Sequence, residues 1–218
     1  MKERPILFSA PMVRAILSGS KSQTRRIVKQ QPERNDKGTL MWGTGRRTGL
    51  QRFGVDGLDV PPGVFARCPY GQTGDRLWVR ETFDFLPDGG PDEPQACVIV
   101  YWATGSTEPR SAPESYNPMI YGREKVRPSI HMPRWASRIA LEVTGVRVER
   151  LQDISEADAR AEGALECDPV SGREVLLAGA SQRGSFVLHY RDIWGSINGA
   201  GSWATNPWVW VIEFRRLP

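Results

Sequence analysis

The chain has 218 residues, of which 39% are hydrophobic and 25% charged, with a formal net charge of +4. That length supports one domain with a large core or two very small ones, and the composition is ordinary for a soluble globular protein. No apolar run approaches a membrane span, and Cys68, Cys97 and Cys167, odd in number and widely spaced, exclude a disulfide framework or a cysteine zinc site. A cytosolic protein in a reducing compartment is the expectation.

The charge is uneven. From Arg14 to Arg52 ten basic residues stand against Glu33 and Asp36, an excess of eight that exceeds the whole-chain +4, so the remainder is net acidic. The asymmetry favours a phosphate-bearing partner, against the plainer reading of a solvated loop.

Pro5-Ile6-Leu7-Phe8 predicts a first strand. Ser9 is placed to cap a helix with Pro11 in its first turn, Met12, Ala15 and Ile16 on one face, and Gly19 at a left-handed stop. The stretch Gly19 to Arg26 then delivers Lys21, Thr24, Arg25 and Arg26 within one turn and the head of a strand. An amine, a hydroxyl and fixed positive charge so placed suit an anionic or strongly polar ligand. Residues 29–67 are rich in Gly, Arg, Pro and Asn, which predicts a long loop, with a small hairpin at Met41-Trp42-Gly43 and Leu50-Gln51-Arg52-Phe53. Its interleaved Arg and aromatic residues suit base stacking and phosphate contacts.

Cys68-Pro69-Tyr70-Gly71 predicts a turn, and Asp75 to Thr82 a strand. Leu77 and Val79 face one side of it, and Arg76, Trp78 and Arg80 the other. Glu81 follows the inward side, where a carboxylate needs a partner, and Lys21 is the natural candidate. The alternative is a solvated carboxylate at the strand end. Ala96 to Trp102 is a second strand, between loops at Pro87 to Pro94 and Thr104 to Pro118. Prolines bracket Arg127 to Trp135, which predicts a rigid extended segment around His131. Arg138 to Leu151 is a strand with a bulge or turn at Gly145. Ser155 caps a helix over Glu156 to Glu162 that Gly163 ends, with Asp158 at the capping-box position. Glu166 to Gly184 reads as loop. Phe186, Tyr190, Ile193, Trp194 and Ile197 form a core stripe on a helix from Ser185 to Ser196, and Pro207 to Arg216 is the last strand. The tryptophans read mainly as core. This order is not the alternation of a parallel doubly wound sheet; an α+β fold, a mixed and mostly antiparallel barrel with a few flanking helices, fits it.

Two motifs, Gly19-x-Lys21-x-x-Thr24-x-Arg26 and Gly74-Asp75-x-x-x-Val79-x-Glu81, resemble the ASCH domain, a relative of the PUA RNA-binding domain. Cys68 to Gly71, Pro128 to Arg138 and Trp208 to Phe214 resemble a phage- or prophage-encoded version. The resemblance implies a single PUA-like domain over residues 1–218, with a basic loop insertion at about 30–66 and a helical C-terminal extension before the last strand. It implies RNA, DNA or a modified nucleoside as partner. Some family members are amidohydrolases that deacetylate N4-acetylcytidine through a lysine, a threonine and a glutamate, and Lys21, Thr24 and Glu81 match these by motif.

In the hydrolytic reading Thr24 attacks an amide carbonyl, Lys21 is the base if burial lowers its pKa, Glu81 orients Lys21 or protonates the leaving amine, and Arg26 or a backbone N–H stabilises the oxyanion. An ionised Glu81 opposes that lowering. In the second reading the chain is a non-catalytic RNA- or DNA-binding module: Arg25, Arg26, Lys29 and the basic loop hold phosphates, Trp78 or Trp42 stacks on a base, and Lys21, Thr24 and Glu81 hydrogen-bond a flipped or unpaired base. Arg76, Arg80, Ser129, His131 and Arg134 complete the expected binding set. A third reading, an endoribonuclease, rests on His131, with no matched second histidine in a motif. The sequence carries no metal signature and no nucleotide-cofactor loop.

Overall fold

In a computed structural model the described residues are 1–29, 31, 33–34, 40–43, 50–52, 68–89, 93–116, 126–165 and 185–218. In chain order the elements are β1 (Glu3–Leu7), α1 (Ala10–Leu17), β2 (Gln23–Ile27), β3 (Glu33–Arg34), β4 (Leu40–Gly43), β5 (Leu50–Arg52), β6 (Arg76–Arg80), β7 (Phe83–Pro87), β8 (Ala96–Tyr101), β9 (Ser106–Ser111), β10 (Ala140–Arg150), α2 (Glu156–Ala161), α3 (Phe186–Asn198) and β11 (Trp208–Arg216). The protein is mixed α+β, and apart from β1 with β6 the strand pairings given below are antiparallel. Two compact units share the chain: Met1–Gly19, Gly74–Glu142 and Arg215–Pro218 form the first, Ser20–Thr73 and Val143–Phe214 the second.

In the first unit β1 runs parallel to β6, Ile6 opposite Val79, and β6 pairs antiparallel with the start of β10. Ile6, Leu77, Val79 and Leu141 are buried, so the alternation expected of β6 holds. Pro11 lies in the first turn of α1, which buries Val13 and Ile16, while Met12 stays half-exposed. Of the expected face Ile16 is buried and Ala15 half-buried, while Val13 takes the core position expected of Met12. Gly19 closes the helix at φ +79. A separate antiparallel sheet, β7-β8-β9, encloses Phe83, Phe85, Cys97, Ile99 and Tyr101 with Met132 and Ala136.

Here β9 replaces part of the loop expected from Thr104 to Pro118. Its sequence, Ser-Thr-Glu-Pro-Arg-Ser, is turn-forming, yet pairing with β8 from Ala96↔Ser111 to Tyr101↔Ser106 satisfies its backbone. The proline-bracketed segment is likewise not extended. Pro128 and Pro133 stand just before two 3-10 turns, Ser129–His131 and Arg134–Ala136, where a fixed φ and a missing N–H are tolerated.

In the second unit the sheet order is β10-β11-β2, with Val211 opposite Arg25 and Ile212 opposite Thr24. Helices α2 and α3 share a core with this sheet: Leu151, Ile154, Ala159, Tyr190, Trp194, Val209 and Val211. Ser155 and Ser185 cap the two helices, their hydroxyls accepting from the N–H groups of Asp158 and Leu188. Ile197, expected in the α3 stripe, is 50% exposed in its last turn. Gly145 sits within an unbroken β10. A Cβ there would stand 2.7 Å from Glu213 Oε2, so the glycine makes room for that side chain rather than forming a bulge. The hairpin expected at residues 41–53 is present as β4-β5, Met41 opposite Arg52. Most of the basic stretch 30–66, the Trp42 side chain and the loop expected over 166–184 lie outside the described residues. No described helix is long and apolar enough to cross a membrane.

Candidate nucleic-acid interface

Of the three residues matched to catalysis, Lys21 and Thr24 belong to the second unit and Glu81 to the first. In the second unit Lys21, Gln23 and Arg25 point into a carboxylate cluster. Lys21 Nζ donates to the Glu162 carbonyl at 2.8 Å and to Glu162 Oε2 at 2.7 Å, both side chains essentially inaccessible. Arg25 donates to Glu149, to Asp158 Oδ2 at 3.2 Å and to Glu162 Oε1 at 3.3 Å. Arg147 joins Glu149, Asp158 and Glu213, and Gln23 Nε2 reaches Asp158 Oδ1 at 3.1 Å. Burial pulls the Lys21 ammonium below the usual lysine range against the opposing pull of Glu162. Burial pushes the Tyr190 phenol well up; its ring lies 5.9 Å below the Arg25 guanidinium.

Thr24, also buried, alternates with Gln23 and Arg25 along β2 and so belongs to the sheet's other face. Arg26 is half-buried, its guanidinium 6.0 Å from the Tyr70 ring centroid.

Glu81 lies in the first unit. It is inward, as the alternation requires, and 2% exposed. Its expected partner was Lys21; its observed partner is Arg138, which donates from Nε to Oε1 at 2.8 Å and from Nη2 to Oε2 at 2.9 Å. The Arg138 guanidinium lies 4.0 Å from the Tyr101 ring centroid and binds the Ser106 and Thr104 hydroxyls. This is a two-pronged, nearly dry pair that holds β9 and the end of β6 to the segment before β10. Burial, with Glu108 nearby, raises the Tyr101 phenol to about 12.

The remaining expected binding residues of the first unit gather on the non-core face of β6. Arg76, Trp78 and Arg80 alternate outward and are half-buried. Arg80 Nε donates to the Met132 carbonyl at 3.0 Å and Nη2 donates to that of Ile130, so this arginine pins the 3-10 turn of Ser129–His131 beside the strand. Its guanidinium stands 5.4 Å from the Trp78 ring centroid. The pinned turn presents His131 and Ile130, the latter 55% exposed. Arg134, in the next turn, reaches Glu3 at the head of β1, with 3.0 Å from Nε to Oε2 and 3.3 Å from Nη2 to Oε1. Pro5 and Ala140 flank Trp78 in register on the neighbouring strands. Arg80 thus positions the surface, and Arg76, Trp78, Ser129, His131 and Arg134 compose it.

Sequence reasoning missed Glu162, Asp158, Glu149, Arg147, Arg138 and Glu3 as partners. One local signal was available: Glu162 is the C-cap of α2, where a carboxylate meets the negative end of the helix dipole and needs a cation. The chain matches no family model, no curated protein and no solved structure.

Proposed function

We propose that this protein binds single-stranded nucleic acid or nucleosides, as an ASCH-family chain of phage or prophage type on a PUA-like barrel. The observation that carries the reading is the outer face of β6. A half-buried tryptophan lies on one face of β6 with Arg76 and Arg80, the Arg80 guanidinium against its ring and the turn of Ile130 and His131 held by that arginine, which offers an aromatic surface for a base and guanidinium groups for phosphates. Arg25 is a poor phosphate ligand, since its donors already meet three carboxylates. The test is fluorescence anisotropy with short single-stranded RNA and DNA across a salt series. Arg76→Ala and Trp78→Ala are expected to weaken binding, the first with a shallower salt dependence and the second without one. Unchanged affinity in both folded variants would overturn this placement of the interface.

The depressed pKa of Lys21 favours a second reading, an amidohydrolase acting on N4-acylated cytidine, because a lysine base needs that depression. Against it stand the Glu162 salt bridge on Nζ and the placement of Thr24 on the opposite face of β2. Turnover of N4-acetylcytidine that vanishes in Lys21→Ala, Thr24→Ala and Glu81→Ala would establish it; no turnover by the folded wild type would remove it.

A further inference from the structure

The Arg134–Glu3 pair differs from the Arg138–Glu81 pair of the same unit in its access to water. Arg138 and Glu81 are 9% and 2% exposed, so that guanidinium group is committed. Arg134 and Glu3 are 48% and 40% exposed. An ion pair in water of this kind contributes little to stability and opens readily. Its geometry is a fork: two adjacent guanidinium N–H groups on the two oxygens of one carboxylate, the arrangement by which arginine also holds two oxygens of a phosphate.

The surrounding charges sharpen the point. Glu3 lies in register with Arg76, and Arg76 in register with Glu142, which is itself held by Arg215 at 2.7 Å. Arg134 and Arg76 together hold the Glu3 carboxyl below its usual range. The Glu3 carboxylate is therefore held by Arg134 and attracted by Arg76, two residues along β6 from the Trp78 row. A phosphate two residues along the strand from a stacked base would meet the same two arginines.

Resting on the proposed interface, we propose that the Glu3 carboxylate occupies a phosphate subsite formed by Arg134 and Arg76, and that a nucleic-acid phosphate displaces it on binding. Glu3 then acts as an internal competitor that lowers affinity and sets the salt response. In the wild type, each phosphate entering this subsite frees a carboxylate, which recruits a cation and cancels part of the counterion release. Without that carboxylate the release is complete.

The experiment compares wild type, Glu3→Gln, Arg134→Ala, the double variant Glu3→Gln/Arg134→Ala, and Glu114→Gln, which removes an exposed carboxylate of the same unit elsewhere. Twelve-nucleotide single-stranded RNA and DNA, with and without a 5′-phosphate, are titrated by anisotropy from low to moderate salt. Glu3→Gln is expected to bind about two- to fivefold more tightly at low salt. Its log–log salt slope should steepen by about 0.7. The double variant should lose both gains, and Glu114→Gln should show neither. A gain with all oligonucleotides identifies an internal phosphodiester as the ligand; a gain confined to 5′-phosphorylated ones identifies a terminal phosphate. Wild-type binding that Glu3→Gln leaves unchanged or weakens overturns the subsite while leaving the interface standing. An equal gain in Glu114→Gln does the same, since the effect is then net charge alone. Absence of oligonucleotide binding in every folded variant overturns the interface and the subsite together.

Discussion

Lys21 and Glu162 lie 141 residues apart and meet with almost no access to water. Such a pair draws little net stability from its own attraction, because both ions lose their hydration; its removal by halves is what costs. Glu162→Ala should therefore destabilise the protein by about 3–5 kcal/mol, since Lys21 and Arg25 keep buried charge without one of their carboxylates. Lys21→Met with Glu162→Leu should recover much of the loss. Urea titrations of the single and double variants measure this, and additive losses would show that the pair is not coupled. The pairing was not legible in the sequence. Glu81 was read as the carboxylate in need of a partner and Lys21 as its candidate; the helix-end position of Glu162 marks a second carboxylate in need of a cation, but nothing local says which cation. The choice depends on which segment the fold carries to β2, and that is a long-range outcome.

Features settled within a few residues were legible. Gly19 was expected at a left-handed helix stop and has φ +79 with open space around it, so Gly19→Ala meets backbone strain alone. A loss of about 1–2 kcal/mol is expected, with no change in the packing of α1. Ser155 was expected as a cap and is one; Ser155→Ala should cost about 1 kcal/mol in thermal or urea unfolding. The inward set Leu77, Val79 and Glu81 followed from the period of two. By contrast β9 was illegible, because its residues carry turn propensity and its strand state comes from the β8 ladder. The segment from Pro128 to Trp135 misled in the other direction: proline restricts φ, and restricted φ serves a 3-10 turn as well as an extended run.

The molecule as a whole responds to pH through groups in both units. Arg134 holds Glu3 low by hydrogen bonding; burial pushes Asp158 up but is outweighed by Gln23, Arg25 and Arg147. Carboxylates with depressed values stabilise the fold above the ordinary range near 4 and lose that contribution as pH falls through their folded values. Tyr101 and Tyr190, both raised by burial, act at the other end. Their contribution is complete below about 10 and is lost as pH rises through the folded values, about 12 for Tyr101. Lys21, depressed by burial, opposes folding least as pH approaches the ordinary lysine value near 10.4. The Tm measured from pH 3 to 11 should form a plateau that falls on both flanks. Asp158→Asn should lower the plateau and converge with wild type on the acid side. A constant offset at all pH values would show that Asp158 acts through shape and not charge.

The pairing of β2 with β11, Thr24 opposite Ile212, also dictates what happens during synthesis. A ribosome adds about 5–20 residues per second. Lys21 is therefore added roughly 7–28 seconds before Glu162, 141 residues later, and β11 follows later still. Through that interval two cations destined for a dry interior have no counter-ions, and Ile27-Val28 has no strand beside it. Slowing translation lengthens this exposure, so the yield of folded protein in a cell should fall with slow codons between residues 30 and 208 and rise when a holding chaperone is supplied.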